Sequence, residues 1–110
     1  MAWYCYVAHV FAGLFLSNGV PHFVSGVQGR ALQSPFAKPP GVGLSSSTVN
    51  VLWGTFNFAV GYLLLLHVGT FDMRNLADVA VVAAPALLGS LFLASRMGRY
   101  HGGNNPRSQA

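Results

Sequence analysis

The chain has 110 residues, of which 53% are hydrophobic and 7% charged, with a formal net charge of +4. A water-soluble domain carries charge on about a quarter of its residues, so the composition excludes an ordinary soluble globule, and the basic residues are too few and scattered for a nucleic-acid-binding stripe. The single cysteine, Cys5, excludes an intrachain disulfide and a cysteine-only zinc site.

The charges stand at Arg30, Lys38, Asp72, Arg74, Asp78, Arg96, Arg99 and Arg107, and three long apolar stretches lie between them. The pattern predicts an all-α integral membrane bundle of three transmembrane helices, embedded in a lipid bilayer. The first span is expected over 3–20. Trp3, Tyr4 and Tyr6 form an aromatic belt at its start. No basic region precedes it, so it reads as a retained span and not as a cleaved signal peptide. Pro21 lacks the N–H that would reach the Ser17 carbonyl, and a kink or stop is expected there.

Residues 21–48 read as a long Gly/Pro-rich connection at the interface. Pro35, Pro39 and Pro40 forbid a continuous helix across it. Its apolar side chains, Phe23 and Phe36 among them, suit a segment resting on the headgroups or on the bundle. A second span is expected over 49–68, with N-cap candidates among residues 45–48. A short turn leads to a third span over 76–95. Small residues recur in that span, from Ala77 to Ser90, and favour close backbone approach in lipid; Pro85 should bend it. Residues 96–110 are polar and expected to be disordered.

The basic residues set the expected orientation. Arg30 and Lys38 of the connection, with Arg96 and Arg99 of the tail, are expected to contact lipid headgroups on one side, while only Arg74 lies on the other. The positive-inside rule then places the N-terminus outside and the C-terminus in the cytoplasm.

Polar residues inside apolar spans are costly, and two layers of them are expected. The outer layer holds Cys5, His9, His67 and Asp78. Cys5 and His9 share a helix face, and with Asp78 they are weak candidates for metal ligation. His9, His67 and His22 are the candidates for holding haem or quinone. The plainer reading makes His9 a helix-to-helix hydrogen-bonding group and Asp78 a partner of the positive end of the third helix. The inner layer holds Asn18, His22, Asn50 and Asn57, with Ser17 and Thr55 as further candidates, and Trp53 lies in the same stripe of the second span as Asn50 and Asn57. It reads either as a polar clamp fastening the connection to the bundle, or as a small ligand site walled by Phe23, Phe36 and Trp53. Gly54 and Gly61 lie seven residues apart, which suits either self-association or an internal seam. No nucleophile elbow, phosphate-binding glycine loop, HExxH or pair of intramembrane carboxylates occurs, and no catalytic residue is assigned.

The stretches NGVPHFVSGVQGR and SPFAKPPGVGLSSSTVNVLWG resemble a family of small bacterial integral membrane proteins without assigned activity, over about residues 18–62. That resemblance implies a bacterial inner membrane. Gly19, His22 and Phe23 are also similar to the Gly-x-x-His-Phe pattern of DoxX-like proteins, which are four-helix bundles. Asn18, Gly19 and His22 are similar to a pattern in the three-helix anchor subunits of succinate dehydrogenase, although Pro21 replaces the arginine before the histidine and the Ser-x-x-His-Arg motif is missing. The expected function is a non-catalytic accessory or assembly subunit, joined to other membrane subunits or to its own copies. The alternatives are a haem- or quinone-binding redox anchor, and a small oligomeric transporter or channel with Asn57 and His9 along its path.

Overall fold

A computed structural model describes residues 1–106. It is all-helical apart from one two-stranded ribbon, and its three helices are each long and apolar enough to cross a membrane. The order is α1 (Trp3–Val27), β1 (Leu32–Gln33), β2 (Leu44–Ser45), α2 (Ser47–Leu66) and α3 (Leu76–His101).

The end expected for the first span is too early, because α1 continues through Pro21 to Val27. The proline removes one backbone hydrogen bond, but the turn beyond it is held from outside. Gly26 seats its backbone against Ser47 and Val51 of α2, and His22 is bonded to Asn50. Neighbouring helices support a proline in this way throughout membrane proteins. The helix stops where Gly29 takes a left-handed conformation, φ +72°. There the Arg30 N–H reaches the Ser25 carbonyl and the Gly29 N–H reaches that of Gly26. This pair of bonds is a Schellman termination.

The connection shortens to residues 28–46. Within it β1 and β2 pair antiparallel, Leu32 opposite Ser45 and Gln33 opposite Leu44. The Ser34 and Ser45 hydroxyls bond to each other, and the Gly41 N–H reaches the Ser34 carbonyl at 2.8 Å. Leu32, Gln33, Ser34, Ala37 and Ser45 are buried, so the ribbon and its loop pack onto the helices.

Ser46 caps α2 by accepting from the Val49 N–H at 3.2 Å, and Asn75 caps α3 by accepting from Ala77 and Asp78. The third helix also runs further than expected, through Arg96 and Arg99 to His101. Helix needs no apolar residue once it lies beyond the hydrocarbon, and Arg99 and His101 suit the negative end of the helix dipole. Left-handed Gly102 ends it. The expected disorder of the tail is therefore corrected for residues 96–101, and residues 107–110 lie outside the described residues.

The packing is asymmetric. Along α1 and α2 the backbones approach through facing glycines. A methyl group on Gly54 would lie 2.7 Å from the Phe23 backbone nitrogen, and one on Gly61 would strike Leu16 at the same distance. The two glycines thus serve the seam inside the chain. On another face of α1, Gly13 receives Val82 and Ala86 of α3. α3 lies along α1 and scarcely touches α2, and none of its residues is buried.

Candidate ligand cavity

The polar residues of the inner layer meet across the α1–α2 seam. Asn50 is fully buried, and its amide N–H groups face the carbonyls of Leu32, Ser45 and Ser46 at 3.3, 3.1 and 3.0 Å. Its Oδ1 is left to accept, and His22 Nδ1 lies 2.7 Å away. His22 therefore carries its proton on Nδ1, and Nε2 is the ring atom free to accept. One turn earlier on α1, Asn18 Nδ2 donates to Asn57 Oδ1 at 3.0 Å, and Asn57 Nδ2 donates to the Trp53 carbonyl at 2.8 Å. Asn50 thus ties α1, α2 and the ribbon together. Asn18 and Asn57 tie the two helices nearer mid-membrane.

Beside this clamp is a cavity of about 360 Å³. Its walls come from every part of the fold: Asn18 and His22 of α1, Gln33, Ser34 and Pro40 of the connection, Trp53 of α2, and Phe92 and Arg96 of α3. The loop covers one side, with Gly41 facing the Arg96 guanidinium. His101 and Gln33 bond at 3.1 Å and hold the end of α3 to β1.

Two groups of the wall bear on what it could bind. The Trp53 indole N–H is buried and has no acceptor among the described residues. Its ring is fixed between Phe36, edge-on at 5.0 Å, and Phe56, stacked at 5.6 Å. Arg96 is exposed and has no acidic partner among the described residues, and the only acidic side chains in the sequence, Asp72 and Asp78, lie at the far end of the bundle. Phe23 packs on Phe58 at 5.7 Å and is not part of the cavity wall. A larger recess of about 470 Å³ on the other side of Trp53 is lined by apolar residues alone, Phe36, Val49, Leu52 and Phe56 completing it.

The outer layer does not converge. His9 is fully buried and donates from Nε2 to the Val68 carbonyl at 2.7 Å, which leaves Nδ1 without a partner among the described residues. Cys5 is buried one turn away, against Gly69. His67 bonds Tyr62 at 3.3 Å, and Asp78 accepts from the Asp72 N–H at 3.1 Å, so the two do not bond each other. Among the described residues, no group of three or more His, Cys, Asp or Glu could hold a metal ion, and Cys5, His9 and Asp78 form no such set. His9 and His22 are about 20 Å apart along α1, at about 1.5 Å per residue, so the three histidine candidates share no single site. Arg30, Lys38, Arg96 and Arg99 all stand at the end that carries the cavity.

Sequence reasoning missed Gln33, Ser34 and Pro40 as cavity-forming residues. The pairing of β1 with β2 brings them there, and strands of two residues leave no periodic signal. Comparison of the chain with family models, curated proteins and solved structures finds no match.

Proposed function

We propose that this chain is a non-catalytic accessory protein of the bacterial inner membrane that works by holding the polar head of a membrane amphiphile in the cavity at its basic end. In this reading the N-terminus faces outward, and the cavity, ribbon and C-terminus face the cytoplasm. The observation that carries the reading is a cavity lined by Trp53, His22 and Arg96, with the Trp53 indole N–H buried in its wall without an acceptor among the described residues. A buried donor without an acceptor costs about 1–3 kcal/mol, and a ligand oxygen would offset that cost once the indole turned its N–H toward the cavity. The clamp of Asn50 and His22 gives the cavity a rigid floor.

A quinone-binding anchor is the second reading. It draws on the opposition of a donor at Trp53 and an acceptor at His22 Nε2, which suits a ring bearing both carbonyl and hydroxyl oxygens.

The test is gentle detergent extraction of the full chain, followed by mass spectrometry of the small molecules that stay bound. Wild-type protein should retain an amphiphile, and Trp53→Phe should retain about fivefold less, the effect of one lost hydrogen bond of ~1 kcal/mol. Equal retention by the two, with equal thermal stability, would count against the reading.

A further inference from the structure

The cavity does not end at its own walls. Asn18 lines it and also lines two smaller clefts further along α1, one with Phe11, Leu14 and Asn57, the other with Leu14, Gly89 and Phe92. Together they form a groove on the face of α1 left open between α2 and α3, because those two helices scarcely meet. From His22 to Phe11 the groove is about 16 Å long, at about 1.5 Å per residue. One leaflet of the hydrocarbon core is about 15 Å deep, half of about 30 Å. The groove is polar and cationic at one end and apolar along the rest. Arg96 stands at the polar end, and Arg30, Lys38 and Arg99 reinforce the same sign there, with no Asp or Glu side chain to offset them. Basic pockets between helices on the cytoplasmic side suit anionic lipid headgroups.

We propose that the cavity and groove together hold one anionic phospholipid of the adjoining leaflet, its phosphate beside Arg96 and the Trp53 side chain and one acyl chain laid along α1 between α2 and α3. The proposal rests on the cavity-binding reading above and gives it a ligand class. Charge complementarity selects the anionic lipid over a neutral quinone, because a quinone gives Arg96 no counter-charge.

The experiment uses full-length protein carrying Trp3→Phe, so that Trp53 is the sole tryptophan, in phosphatidylcholine vesicles. Phosphatidylglycerol or phosphatidylcholine with brominated chains is titrated in, and quenching of Trp53 fluorescence is read. Half-quenching should need about fivefold less of the anionic lipid, the worth of one cation near the surface. Arg96→Gln should abolish that preference and Arg96→Lys should largely keep it. Arg99→Gln, which removes the same charge outside the cavity, should lower it only slightly. Millimolar inorganic phosphate should leave the preference unchanged.

Equal quenching by the two lipids, or equal losses in the Arg96 and Arg99 variants, overturns the proposal. Relief of the preference by inorganic phosphate overturns it in favour of a soluble anion. If a neutral quinone instead saturates Trp53 quenching, and does so equally in Arg96→Gln, the anionic assignment fails while the cavity reading stands. If no probe saturates and Trp53→Phe retains as much amphiphile as wild type, both fail.

Discussion

Asn50 is the residue on which the inner layer turns. Its amide group serves His22 and three backbone carbonyls from a fully buried position. Asn50→Ala leaves the His22 Nδ1–H and at least one carbonyl without a partner, and should destabilise the bundle by about 2 kcal/mol. Thermal unfolding in detergent, followed by helical circular dichroism, measures this. Asn57→Leu removes a single interhelical bond and should cost about 1 kcal/mol or less. A larger loss for Asn57 than for Asn50 would reverse the assigned roles. That these residues matter was legible in the sequence, since each interrupts an apolar run at a cost. Their pairing was not, because spacing along one helix says nothing about its register against another. The unpartnered Trp53 N–H was equally hidden, since any tryptophan near a membrane interface reads as an anchor.

The helices themselves were legible at their apolar centres and misread at their ends. Hydrophobic content marks where lipid surrounds the chain, whereas a helix ends where its backbone is capped. α1 passes Pro21 because α2 supports it, and α3 passes Ser95 because nothing stops it before Gly102. The α1–α2 seam depends on close approach at Gly19, Gly26, Gly54 and Gly61. Gly54→Val should force the pair apart and cost about 2 kcal/mol, with a fall in unfolding temperature. The same change at Gly103, which meets only the Gly98 Cα at 3.6 Å, should be close to neutral. A scan of both variants by size-exclusion chromatography against temperature separates a seam from a general intolerance of added volume.

At the scale of the whole molecule, charge is segregated by end. Arg30, Lys38, Arg96 and Arg99 occupy one end, and Asp72, Arg74 and Asp78 the other. With the basic end in the cytoplasm, a phosphatase reporter that works only in the periplasm should be silent when fused after residue 106 and active when inserted in the turn at Met73, which is 80% exposed. The opposite pattern would invert the orientation proposed here. The lone arginine of the turn, Arg74, should be the weak point of that orientation: extra lysines beside it should produce a mixed population, read as partial activity at both positions.

α3 packs along one helix, α1, with a single side-chain bond from His101 to the ribbon at its end, and the α1–α2 pair is already closed without it. The elements are translated in the same sequence in which they need one another: α1, then the ribbon and α2 that lock onto it, then α3. A nascent chain can therefore close its tightest contact while the last span is still in the ribosome. Release of a chain stopped after Leu66 should accordingly yield a stable helical pair, and a chain lacking α1 should leave two spans with nothing to hold.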